Sequence, residues 1–257
     1  MAQSFFKSVI RIAIPVALQS MLQSSFSMIN QVMVGQLGST SIAAVGIAGK
    51  FAFLYSVVIG AITAIAGIMI SQYIGQKDQK AADRSLCINL MVAVGMAVAF
   101  MLFSLLLPGQ IMRFYSEDTD VVRLAASYLR IIAGTYLPIG VASTLSVMLR
   151  CNDWAKAPLY AAIASALINS GLNYILIFGK LGTPALGIQG AAIASVASQW
   201  VNVLIVVLFF QKLLSKRQVR FLPSVKMDGL DRRQYLIMLL PVVVNEFLCG
   251  CSEAENG

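Results

Sequence analysis

Polar side chains that recur along otherwise apolar stretches are the residues best placed to do chemistry here. Gln19, Gln23, Ser27 and Asn30 follow at steps of four, four and three. Ser165, Asn169 and Asn173 are spaced by four, and Ser195, Gln199 and Asn202 by four and three. Helical geometry puts each set on one face. An amide buried in hydrocarbon is costly unless it finds a partner or water. Each face must therefore meet another helix or a wet cavity. One stripe alone reads as interhelical glue, at about 0.6–2 kcal/mol a contact. Three stripes favour a polar cavity, with Gln19, Gln23, Asn30, Asn169, Asn173, Gln199 and Asn202 as candidate lining residues.

Titratable groups add one more candidate. The carboxylates are Asp78, Asp83, Glu117, Asp118, Asp120, Asp153, Asp228, Asp231, Glu246, Glu253 and Glu255. Only Glu246 falls inside an apolar run, and an ionisable group at membrane depth is a functional candidate by default. Histidine is absent, which removes the commonest metal ligand, proton relay and catalytic base. Cys87, Cys151, Cys249 and Cys251 match neither a disulfide framework nor a zinc site. No phosphate-binding glycine loop and no Ser/His/Asp set is present. The sequence therefore predicts neither an enzyme nor a resident cofactor.

The elements that carry these residues belong in a membrane. Charged residues make up 12% of the 257, and the hydrophobic set 58%. Soluble domains carry about 25% charge. A spanning helix needs about 20 mostly apolar residues. Six stretches qualify: 9–34, 52–74, 86–112, 122–149, 157–178 and 187–213. A shorter run, 235–251, holds Asn245 and Glu246. The first run is too long for the hydrophobic segment of a cleavable signal, roughly 7–15 residues. Pro15 and Pro138 fall inside runs one and four and predict kinks, static or hinged.

The net charge of +8 sits in short segments between apolar runs, which marks topology rather than nucleic-acid binding. With the N-terminus inside, Lys7, Arg11, Lys77, Lys80, Arg84, Arg150, Lys156, Lys212, Lys216, Arg217, Arg220, Lys226, Arg232 and Arg233 face the cytoplasm. These are fourteen of the nineteen basic residues. Lys50, Arg113, Arg123, Arg130 and Lys180 face outward. The domain plan is a transmembrane lobe over 1–214, a basic cytoplasmic linker over 215–234, and a further start over 235–257.

Small residues also recur: Gly60, Ala64 and Gly67 in run two, and Ala191, Ala194, Ser195 and Ser198 in run six. They predict close helix packing. Met21, Met28 and Met33 suit either a lipid-facing surface or an adaptable pocket.

Several ordered blocks resemble one family. Met33-Val34-Gly35-Gln36-Leu37-Gly38 with Ile42-Ala43-Ala44-Val45-Gly46 resembles the end of helix one and the start of helix two in the multidrug and toxic compound extrusion (MATE) family. Gln72-Tyr73-Ile74-Gly75-Gln76, the block from Asn169 to Gly179, and that from Pro184 to Ala194 resemble later segments in the same order. Pro241 with Asn245 and Glu246 resembles the start of the seventh helix. The resemblance implies an all-α membrane protein, the first six-helix lobe of a two-lobe, twelve-helix fold, plus a partial seventh helix. It implies a multi-pass exporter in the plasma (cell inner) membrane, an antiporter of drugs or other small organic, often cationic, compounds. H⁺ or Na⁺ would be the coupling ion, and membrane lipid and a second lobe the partners.

The chain departs from the family pattern twice. Many members carry Asp on the first helix where Asn30 stands, and Asn cannot titrate. The family-like text also stops near Glu246, so the expectation is an incomplete first half that needs its missing second lobe or a second copy. A lipid-linked polysaccharide flippase and a non-transporting remnant are the competing readings. A flippase would favour inward-facing Arg and Lys, which these runs lack.

Overall fold

Short turns and capped ends cut the apolar runs into helices. The computed structural model describes residues 2–217. Glu246, the linker beyond residue 217 and the 235–251 run lie outside the described residues. The helices are α1 (Ala2–Gly35), α2 (Ser39–Gly75), α3 (Gln79–Leu106), α4 (Pro108–Arg113), α5 (Thr119–Ile132), α6 (Tyr136–Cys151), α7 (Lys156–Phe178) and α8 (Ile188–Arg217). No strand occurs among the described residues.

Local chemistry sets the boundaries. Asp78 caps α3 by accepting from the Ala81 N–H at 3.0 Å, which satisfies a backbone donor the first turn leaves open. Asp118 caps α5, accepting from the Asp120 and Val121 N–H groups at 2.9 and 3.3 Å. The expected third span, 86–112, is not continuous. It ends at Leu106, and Pro108 opens the six-residue α4 at its first position, where a missing N–H does no harm. The expected fourth span is also divided. A 3₁₀ turn, Ala133–Thr135, joins α5 to α6. Pro138 is therefore the third residue of α6 rather than a mid-helix residue. The turn lies where the proline leaves a carbonyl without its donor.

Among the described residues, five segments are long and apolar enough to cross a membrane: Ser39–Gly75, Gln79–Leu106, Thr119–Cys151, Lys156–Phe178 and Ile188–Lys216. They match runs two to six. The first run forms the 34-residue helix α1.

The helices pack in two groups joined by α8. One joins α2, α3, α5 and α6; the other joins α1, α7 and α8, with α8 also against α5 and α6. Tyr55, Phe100 and Tyr136 tie α2, α3 and α6 together, with the Tyr55 and Tyr136 rings 4.6 Å apart. The Tyr55 hydroxyl donates to the Tyr136 carbonyl. Two glycines make the α7–α8 contact possible. Gly179 ends α7 in the left-handed conformation, φ 65°, and a Cβ there would meet the Ala185 backbone nitrogen at 2.7 Å. A Cβ on Gly190 would meet the Leu176 carbonyl oxygen at 2.7 Å. With these two glycines the start of α8 lies against the end of α7, so the polar faces of the two helices meet.

Candidate functional site

Three asparagines from two helices close a triangle at the centre of the second group. Asn30 on α1 donates through Nδ2 to Asn169 Oδ1 on α7 at 2.8 Å. Asn173, one turn along α7, donates through Nδ2 to Asn30 Oδ1 at 2.6 Å and to Asn169 Oδ1 at 3.1 Å. Asn169 Nδ2 reaches α8, donating to Ser198 Oγ at 3.2 Å and Ser195 Oγ at 3.4 Å. The Ser198 hydroxyl donates in turn to the Ser195 carbonyl at 2.9 Å. Ser195 and Ser198 thus do more than allow close packing: they accept the hub amide.

The triangle is buried but not complete. Asn169 is 8% exposed and Asn173 1%. Asn173 Oδ1 has no hydrogen-bond partner among the described residues. A buried carbonyl acceptor without a donor is costly.

Two cavities meet at this wall. The larger, about 530 Å³, lies between α1, α2, α5, α7 and α8 and is lined by Ser27, Asn30, Gln31, Tyr128, Asn173 and Ser195 together with Val34, Ile42 and Val45. The smaller, about 300 Å³, lies between α1, α7 and α8 and is lined by Gln23, Phe26, Asn30, Asn169, Gln199 and Asn202, among others. Ser27, Asn30 and Ser195 border both. No carboxylate or basic residue lines either cavity. Among the described residues no three or more His, Cys, Asp or Glu gather to hold a metal ion.

The three stripes therefore converge. Gln23, Asn30, Asn169, Asn173, Gln199 and Asn202 all line one cavity or the other, and Asn202 Nδ2 donates to Gln199 Oε1 at 3.4 Å. Gln19, a turn before Gln23 on α1, is not among the lining residues of these two cavities. Met21 and Met28 lie on the exposed side of α1, and Met33 packs into the core beside Val34. Gln31 and Tyr128 line the larger cavity without having been singled out by spacing. Gln31 breaks the α1 stripe by one position. Tyr128 lies on the amphipathic α5, next to Ser127 and two residues before Arg130, with no spacing that would single it out.

Comparison with known proteins agrees with this architecture. A protein-family model described as MatE matches residues 15–175. "Probable multidrug resistance protein NorM" of Agrobacterium fabrum is 29% identical over 213 residues, 81% of this chain and 44% of that protein. "Probable multidrug resistance protein YoeA" of Bacillus subtilis is 28% identical over 260 residues, 97% of this chain and 55% of its own length. An outward-facing multidrug resistance MATE family transporter superposes with a TM-score of 0.80 at 21% identity, over 94% of this chain and 52% of that one. A MOP superfamily transporter from Pyrococcus furiosus gives 0.81 at 22%, over 94% and 52%. The chain thus spans about half the length of the relatives it matches.

Proposed function

The chain belongs to the MatE family, and we propose on that premise that it forms the first lobe of a secondary exporter of small organic compounds. The observation that carries the site assignment is the Asn30–Asn169–Asn173 triangle between two cavities. Transporters of this kind hold substrate and coupling ion near the bilayer midplane, between repeats that rock against each other. Polar residues concentrated there, on helices otherwise surrounded by lipid, fit that use.

The triangle's chemistry narrows the coupling. Three amides and two hydroxyls cannot release a proton near neutral pH. They can present oxygens, and Asn173 Oδ1 has a free lone pair. In our reading this lobe binds Na⁺ or a polar group of the substrate through carbonyl and hydroxyl oxygens, and any proton-coupled step uses a group elsewhere. Gln23, Gln199 and Asn202 serve as further contacts in the smaller cavity. Glu246 is retained as the one acid expected at membrane depth. The N-terminus is cytoplasmic in a cell-membrane protein, residues 1–214 form the lobe, and a second lobe or a second copy completes it.

The test is a drug-efflux assay in cells stripped of their own exporters. Residues 1–257 expressed alone should give no efflux above vector. Supplying the second half of a relative in trans should restore it, and Asn173→Ala should then reduce it about tenfold, the loss of one good contact. Robust efflux from this chain alone would replace the missing lobe with a homodimer. Restored efflux that is indifferent to Asn173→Ala would remove the triangle from the site.

A further inference from the structure

A second cleft, remote from the triangle, carries charges of both signs. It lies between α4 and α5, has a volume of about 550 Å³, and is lined by Arg113, Ser116, Glu117, Thr119 and Arg123. That volume falls within the usual range for small-molecule sites, ~300–1,000 Å³. Its depth in the membrane follows from its neighbours. The span Gln79–Leu106 ends three residues before Gly109, which lines the cleft, and the span Thr119–Cys151 begins within it. The cleft therefore sits where two helices leave the hydrocarbon, at the level of lipid head groups.

The surroundings complete the chemistry of a lipid. The last turns of α3, which lead into the cleft, expose Phe103 and Leu106, the latter 73% exposed, and Phe114 beside Arg113 is 87% exposed. Such side chains suit acyl chains. Arginine matches the geometry of a phosphodiester through its planar fork of donors. The acidic residues divide their work. Asp118 accepts the two backbone donors at the start of α5, whereas Glu117 lines the cleft. Its carboxylate can take an ammonium group next to the phosphate.

We propose that this cleft binds the head group of a zwitterionic, ethanolamine-bearing phospholipid, with the phosphate on Arg113 and Arg123 and the ammonium on Glu117. A glycerol head group offers Glu117 no cation, only neutral hydroxyls. A choline head group offers Glu117 no N–H donor. The inference is independent of what the central cavities carry.

Native mass spectrometry of the full chain in detergent, offered equal amounts of phosphatidylethanolamine, phosphatidylcholine and phosphatidylglycerol, tests it. The ethanolamine lipid should be retained at least about threefold over the glycerol lipid. Arg113→Gln with Arg123→Gln should weaken its retention about tenfold, and Arg113→Lys with Arg123→Lys should weaken it less. Glu117→Gln should erase the preference for ethanolamine over glycerol while leaving total bound lipid largely intact. Chain-free glycerophosphoethanolamine should bind at least about tenfold more weakly than the lipid. Equal retention of all three lipids, preference for the glycerol lipid in the unaltered protein, or indifference to the Gln pair would overturn the proposal. Equal binding of the chain-free compound would reassign the cleft to a soluble phosphate ester.

Discussion

Replacing Asn169 by leucine separates a structural triangle from a chance alignment of amides. The two side chains are close in size, so the change removes hydrogen bonds without opening a large cavity. Asn169 Oδ1 loses Asn30 Nδ2 at 2.8 Å and Asn173 Nδ2 at 3.1 Å, and Asn169 Nδ2 loses Ser198 at 3.2 Å and Ser195 at 3.4 Å. Two of these, to Asn30 on α1 and to Ser198 on α8, are well-formed bonds between different helices. At about 0.6–1.7 kcal/mol each, they sum to about 1–3 kcal/mol. Water in the adjoining cavities can re-pair part of what is orphaned, which keeps the loss near the lower half of that range. Asn169→Asp is the control. Burial without a basic neighbour keeps the new acid protonated, and the protonated group still accepts from both asparagines through its carbonyl oxygen and donates to a serine hydroxyl through its O–H. Its cost should stay under about 1 kcal/mol. Chemical unfolding in mixed micelles, read by circular dichroism, measures both. A leucine variant within about 0.5 kcal/mol of the unaltered protein, or an aspartate variant as damaged as the leucine one, would refute the hydrogen-bond network.

Three other substitutions test neighbouring steps of the argument. Gly190→Ala should lower the melting temperature clearly and loosen α7 from α8, because its Cβ would meet the Leu176 carbonyl oxygen at 2.7 Å and backbone cannot easily yield; about 1–3 kcal/mol is expected for such overpacking. Gly140→Ala meets the Tyr55 hydroxyl at 2.9 Å, so it should destabilise alone yet be largely rescued by Tyr55→Phe, and thermal melts of the double-mutant cycle read that coupling. Asn30→Asp puts a titratable group in the triangle, where only the protonated acid can reproduce the donation from Asn30 to Asn169 at 2.8 Å. Its folded-state pKa should therefore lie above the unfolded one, and its stability should fall as pH rises through the folded value, while the unaltered protein shows no such step at this site; melts at acidic and alkaline pH decide it.

Length and hydropathy made the helical runs legible, since lipid accepts only segments that satisfy their own backbone. The errors fell where a run's composition averaged over a local event. Pro108 opened a new helix inside an apolar stretch, and a 3₁₀ turn ahead of Pro138 divided another. A hydropathy average over a whole run does not register where the backbone breaks within it.

The site was legible as three faces but not as one triangle. Periodicity places residues on a face of their own helix and says nothing of which faces meet. That information lay in Gly179 and Gly190, whose missing side chains let α7 and α8 approach at the register that brings Asn169 to Ser195 and Ser198. Asn89 marks the limit of reading amides as function. It is fully buried on α3 and donates to the Ser85 carbonyl at 2.8 Å on its own helix, so it binds no second element and borders neither cavity. An isolated amide can pair its N–H group within its own turn, although Asn89 Oδ1 is left without a partner among the described residues. Amides that repeat along a face exceed what one helix can pair, and the surplus must be met by other helices or by a ligand. Asn173 Oδ1 and Asn89 Oδ1 are both one donor short among the described residues, and what sets Asn173 apart is its place on the wall of the larger cavity beside Asn30 and Ser195, which is why we propose the triangle as the site.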